Sequence, residues 1–216
     1  SNNPELPRVR HVDRKERERI AKRSEIMQAA RAVFALKGYS AATLDEIAEK
    51  AEFSKGTLYN YFQSKEDIFQ HILESLLHEM TTIAEAAVAE GGTTREKFRR
   101  YAVRMIMYFK AEEDFLKIVV RELNRMLLEG EQAGIEHIHR RTEKTTAVLS
   151  SVLREDASMR NIPGFSVEEL AHMFSEMIHV RAMKCTVEEK SLRSMDPVQE
   201  AGFITDLFFD GAASHP

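Results

Sequence analysis

The stretch Thr43–Lys65, TLDEIAEKAEFSKGTLYNYFQSK, restricts the fold more than any other part of the chain. Thr43-Leu44-Asp45-Glu46 reads as a capping box: a hydroxyl at the N-cap and a carboxylate three residues on. Ser54 is placed to cap a second short helix. The segment therefore predicts two helices, about 43–50 and 54–61, joined by the turn Ala51-Glu52-Phe53. Leu44, Ile47 and Ala48 share one face of the first helix, and Ala48 is small where two helices must cross. Leu58 and Phe62 mark the inner face of the second. Gly56, Thr57 and Asn60 then point outward, with Lys55, Tyr59 and Tyr61 on the flanks. That outward face offers hydroxyls, an amide, an ammonium and a glycine that permits close approach, which suits a helix lying in a major groove. The start of such a helix also presents free N–H groups to phosphate.

The remaining punctuation is helical too. Residues 14–37 carry Ile26, Ala30, Val33 and Phe34 at helical spacing and end at Gly38, a C-cap signal. Ser64 opens a helix striped with Ile68, Ile72, Leu76, Ile83 and Ala87 that stops at Gly91-Gly92. At 1.5 Å per residue it would reach about 40 Å, long enough to tie one domain to another. Thr93-Thr94-Arg95-Glu96 is another capping box, and Phe98, Ala102, Met105, Ile106 and Phe109 follow it. Further helices are expected from about Glu113 to Gly130, over 131–154, from the cap Ser166-Val167-Glu168-Glu169 to about Cys185, and from Asp196-Pro197 onward, with Pro at N1. The expectation is an all-α chain of about nine helices. Its parts would be a basic flexible arm over 1–13, a three-helix helix-turn-helix domain over 14–65, and a larger helical body over 66–216.

Composition agrees with a globular helical protein: 43% of the 216 residues are hydrophobic and 31% charged. No apolar run approaches the length of a membrane span, and the N-terminus lacks the apolar core of a secretory signal. The single cysteine, Cys185, fits a reducing, cytoplasmic setting. A net charge of −4 conceals an asymmetry. Residues 1–65 hold 13 Lys and Arg against 9 Asp and Glu, whereas the remaining 151 hold 18 against 26. A basic head on an acidic body directs the head toward a polyanion. Chance clustering produces swings of this size as well, so charge supports the motif rather than replacing it.

The words IAEKAEFSKGTLYNYFQSKEDIF, preceded by AVFALKGYSAATL, resemble the TetR family of transcriptional regulators over about residues 20–72. The resemblance implies a role for each matching position. Thr43 would anchor the first short helix to phosphate. Lys55, Gly56, Thr57 and Tyr61 would approach base edges, with Ser54 and Asn60 on the same surface. Tyr59 would press on the sugar-phosphate backbone, and Lys65 would clamp a phosphate. One position departs: Glu52 stands where the family often has glycine. A left-handed backbone there would cost a non-glycine residue roughly 1–2 kcal/mol. Arg8, Arg10, Arg14, Lys15, Arg17 and Arg19 form an arm that either adds DNA contacts or is a solvated tail offset by Asp13, Glu16 and Glu18.

For the body, over 66–216, the resemblance implies a ligand-binding and dimerisation domain: a homodimer on a palindromic operator, with double-stranded DNA and a small-molecule effector as partners. Leu170, Phe174, Met177, Ile178, Ile204, Leu207 and Phe208 are expected at the dimer interface, because the last two helices are apolar on more than one face. Met105, Phe109, Phe115, Arg121, Arg125, His137 and Met173 are the candidate lining of a pocket for a small, largely apolar effector, with repression the expected mode. No catalytic residue, metal site or cofactor is expected, and no enzyme signature is present: there is no Gly-rich phosphate loop and no nucleophile elbow. The opposing reading is a small helical metal-binding protein or enzyme built on His172, Glu176 and His179, which share one helix face with Cys185 or His139 nearby. A polar stripe facing solvent or an interface explains the same spacing.

Overall fold

The fold was analysed in a computed structural model, which describes residues 13–129, 132–187 and 191–213. These residues form nine α-helices and one short 3-10 turn at Leu192–Ser194, with no strand. The helices are α1 (Arg14–Lys37), α2 (Leu44–Lys50), α3 (Lys55–Tyr59), α4 (Lys65–Ala89), α5 (Thr94–Ala111), α6 (Glu113–Glu129), α7 (Gln132–Glu155), α8 (Val167–Val187) and α9 (Pro197–Ala213). The chain divides into two compact units, with the boundary between Ile72 and Leu73, inside α4. Among the described residues no helix is long and apolar enough to cross a membrane. Arg8 and Arg10 of the basic arm lie outside the described residues, whereas Arg14, Lys15, Arg17 and Arg19 belong to the first turns of α1.

Local chemistry sets the helix starts. Thr43 Oγ1 accepts from the Glu46 N–H at 3.3 Å, and the Glu46 carboxylate accepts the Thr43 N–H at 3.1 Å. Thr93 with Glu96, and Ser166 with Glu169, repeat this reciprocal pattern. In each case the hydrogen bonds hold the glutamate below its ordinary carboxylate range: from Lys37 and then Thr43 at Glu46, from Thr93 at Glu96, and from Ser166 at Glu169.

In the first unit Ile26, Ala30, Val33 and Phe34 of α1 close over Ile47, Ala48, Leu58, Phe62, Ile68 and Phe69. Phe34, Tyr39 and Phe69 cluster with ring centroids 4.9–6.2 Å apart. In the second unit the buried stripe of α5, Phe98, Tyr101, Ala102, Met105, Ile106 and Phe109, packs against α8 and α9. Phe98 meets Phe174 at 4.8 Å and Phe209 at 5.5 Å. A Cβ at Gly202 of α9 would stand 3.3 Å from a guanidinium nitrogen of Arg99 on α5, the far end of a flexible side chain. Arg95, at the start of α5, pairs with Asp206 and Asp210 of α9 at 2.7–2.9 Å.

The apolar faces of α8 and α9 require a correction to the expected interface. Leu170, Phe174, Ile178, Ile204 and Phe208 are at most 6% exposed and face the subunit's own core, and Met177 is half-buried. Leu207 alone of the expected set is exposed. The apolar side chains that these helices leave in solvent are Met173, Val180, Met183, Val198, Phe203 and Leu207. Helical spacing reveals two apolar faces; only packing against α5 and α7 decides which turns inward.

Candidate nucleic-acid interface

α2 and α3 are held apart by a helix stop of defined chemistry. The Glu52 N–H donates to the Glu49 carbonyl and the Phe53 N–H to the Ala48 carbonyl, the two bonds of a Schellman motif. The motif requires a left-handed residue, and Glu52 supplies it at φ 58°. Among the described residues Glu52 is the one non-glycine with positive φ. Six residues after Glu52, Leu58 is anchored in the core, and Phe62 follows four residues on, both at most 1% exposed.

That anchoring turns the opposite side of α3 outward. Ser54, Lys55, Gly56, Tyr59 and Asn60 are exposed, while Thr57 and Tyr61 are half-buried. Ser54 Oγ accepts the Thr57 N–H at 3.1 Å and shares a hydrogen bond with Thr57 Oγ1 at 2.8 Å, so both hydroxyls sit at the mouth of the helix. A Cβ at Gly56 would meet only Ser54 Oγ at 3.9 Å, leaving open space over the backbone. Lys55 reaches back to Asp45 of α2 at 2.7 Å, and this carboxylate raises the affinity of the ammonium for its proton. Thr43 is exposed at the start of α2.

Lys65 is placed differently from its neighbours. Its ammonium donates to the carbonyls of Tyr39, Ser40 and Ala42 at 2.8, 3.1 and 3.0 Å. It also stands 4.7 Å from the centroid of the Tyr39 ring. All three N–H donors therefore fasten the start of α4 to the turn between α1 and α2. Arg14 and Arg19 of the expected basic arm pair with Glu18 and Glu16 on exposed helix turns.

A separate cavity of about 280 Å3 lies within the second unit. Leu73, Leu76, Leu77 and Met80 of α4 form one wall, Phe109 of α5 with Leu116, Val119 and Val120 of α6 another, and Thr142 of α7 contributes a hydroxyl. His172, Glu176 and His179, with Ala182 and Met183, bring α8 to the same cavity. Of the expected lining residues whose side chains are described, only Phe109 is there. Met105 and Phe115 are buried away from it, Met173 and Arg121 are exposed, and Arg125 pairs with Glu122 at 2.9 Å. The side chains of His137, His139 and Cys185 lie outside the described residues. No cluster of three His, Cys, Asp or Glu side chains suited to a metal occurs among the described residues. The α8 stripe was visible in the sequence, but its spacing alone did not separate a cavity wall from a chelate.

Comparison with known proteins gives one family match, one relative and two solved structures. Residues 26–72 match the family described as bacterial regulatory proteins, tetR family. Over 99 residues the chain is 32% identical to an uncharacterized HTH-type transcriptional regulator, YhgD, of Bacillus subtilis, a match covering 46% of this chain and 52% of that protein. The match thus spans about half the length of that relative. The transcriptional regulator FadR of Bacillus subtilis, solved in complex with stearoyl-CoA, superposes with a TM-score of 0.71 at 24% identity, covering 87% of this chain and 98% of that one. FadR of Thermus thermophilus, solved with lauroyl-CoA, gives 0.63 at 21% identity, with coverage of 90% and 96%. At these identities the structures are evidence of a shared fold.

Proposed function

Because this chain belongs to the TetR family of transcriptional regulators, we propose that it binds DNA through α2 and α3 as a homodimer on a palindromic operator. In this reading it acts in the cytoplasm as a repressor released by a small, largely apolar effector. One observation carries the reading: α3 buries Leu58 and presents Ser54, Lys55, Gly56, Tyr59 and Asn60 to solvent, a polar surface with almost no apolar bulk. Such a face on a short helix matches the edge chemistry of a major groove.

The roles divide by chemistry. Lys55, Thr57 and Tyr61 are placed to reach base edges, and Gly56 admits the duplex backbone. Tyr59, Asn60, Ser54 and Thr43 supply donors to phosphate. Lys65 acts one step removed, by holding the position of α4 against the turn that precedes α2. The exposed apolar side chains Met173, Val180, Val198, Phe203 and Leu207 support a partner subunit on α8 and α9. The apolar cavity supports an effector, and FadR structures holding acyl-CoA molecules favour one with a hydrocarbon chain. An effector with different affinities for the free and DNA-bound forms shifts the balance between them by that difference.

Selection of bound duplexes from a random pool tests the reading. Two inverted half-sites about one helical turn apart are expected. Enrichment of no sequence, or of a single asymmetric site, would overturn it.

A further inference from the structure

One residue lining the cavity carries a buried polar atom without a hydrogen bond. It is His179 Nε2, which a ligand in the cavity reaches only as the ring turns or the lining gives way. The other ring nitrogen, Nδ1, lies 3.1 Å from Glu176 Oε1. A carboxylate accepts, so Nδ1 carries the hydrogen in this contact. In the neutral ring that leaves the lone pair on Nε2. The ring is also fixed from behind by Phe109, whose centroid is 5.5 Å away. A buried acceptor left empty is costly, and a ligand of the right chemistry recovers that cost on binding.

We propose that His179 is the specificity determinant of this cavity, and that the effector is a hydrocarbon-chain molecule carrying a hydrogen-bond donor, such as a hydroxyl, that meets Nε2. Glu176 is a positioning residue: it sets which nitrogen bears the hydrogen. The leucine, valine and methionine walls take the chain, so affinity comes from apolar burial and selectivity from one polar contact. The inference rests on the effector part of the proposed function, but not on DNA binding.

Titration calorimetry on the full chain at pH 8, without DNA, tests it with two isomers. Decan-1-ol has a donor; methyl nonyl ether has the same formula and none. The alcohol is expected to bind about tenfold more tightly, the worth of one net hydrogen bond near 1.4 kcal/mol. His179→Phe should abolish this preference while leaving the ether unchanged. His179→Gln, which restores a carbonyl acceptor, should recover part of it. Should His179→Phe fail to fold, the two isomers on the unaltered protein together with His179→Gln still decide. Equal binding of the isomers, an unchanged preference in His179→Phe, or tighter binding of decanoate than of decan-1-ol would overturn the proposal. Success here with no DNA selected in the operator experiment would sink only the regulator reading; the reverse outcome would sink only this one.

Discussion

The Lys65 ammonium donates to the Tyr39 carbonyl at 2.8 Å while standing 4.7 Å from the centroid of the same residue's ring. Both halves of Tyr39 thus hold one cation, and the carbonyls of Ser40 and Ala42 complete its donor set. A lysine at the start of a helix near a DNA-facing surface looks like a phosphate clamp. Here its hydrogens are directed into the protein.

Lys65→Ala is therefore expected to lower the stability of the first unit by about 2–3 kcal/mol, the scale of hydrogen bonds to a charged group. Lys65→Arg should recover only part, because a planar guanidinium does not reproduce three convergent donors. Chemical denaturation checks both. Unchanged stability in Lys65→Ala, with DNA affinity lost, would restore the clamp.

Glu52 holds a left-handed backbone at φ 58° that favours glycine. Glu52→Gly should raise stability by up to about 1 kcal/mol: relief of roughly 1–2 kcal/mol of strain, partly offset by the greater freedom of glycine in the unfolded chain. A thermal melt in which Glu52→Gly unfolds at lower temperature than the unaltered chain would contradict this.

Glu46, Glu96 and Glu169 all have carboxyl pKa values lowered by hydrogen bonds: from Lys37 and then its helix cap at Glu46, and from their helix caps at Glu96 and Glu169. A lowered folded-state value means that the stabilisation is present above the unfolded value of about 4.5. It is lost as pH falls through the lower folded value. Stability should accordingly drop on acidification below about pH 4.5. Glu→Gln at the three positions, which keeps an acceptor but removes the titration, should flatten the profile between pH 5 and 3. Denaturation midpoints across that range measure it.

Asp45 holds Lys55 at 2.7 Å on the surface proposed to meet DNA. Asp45→Asn frees the ammonium and removes a carboxylate, so binding to any duplex should tighten several-fold at low salt. The log–log salt slope should steepen, because a carboxylate that repels the duplex is gone from this surface. Thr57→Ala should instead change which base is preferred, at about 1–3 kcal/mol on the best site. Fluorescence anisotropy over a salt series separates the two effects.

Phe203 and Leu207 are 65% and 54% exposed on α9. Replacing both with glutamate should convert the proposed dimer to single chains in light scattering, with the fold kept in circular dichroism. Ile204, only 3% exposed between them, should instead destabilise the subunit when cut to alanine, by about 2–5 kcal/mol. A dimer that survives the double replacement would place the interface elsewhere.

The sequence by itself determined what is settled within a few residues. The caps at Thr43, Thr93 and Ser166, the helix stop at Gly38 and the turn at Glu52 depend on groups three to five positions apart, so residue type and spacing suffice. The inner face of α3 was legible for the same reason: Leu58 and, just beyond the helix, Phe62 are large apolar side chains four positions apart. Only the tertiary structure decided which of two apolar faces on α8 and α9 is buried, where the Lys65 hydrogens go, and that His172, Glu176 and His179 border an apolar cavity. Each depends on a partner many positions away: Phe98 of α5 for Phe174 and Phe209, Tyr39 for Lys65, and Leu76 of α4 as the opposite wall from His179. A periodic pattern states that a face is apolar or polar; the neighbour that covers it is chosen by packing across the whole unit.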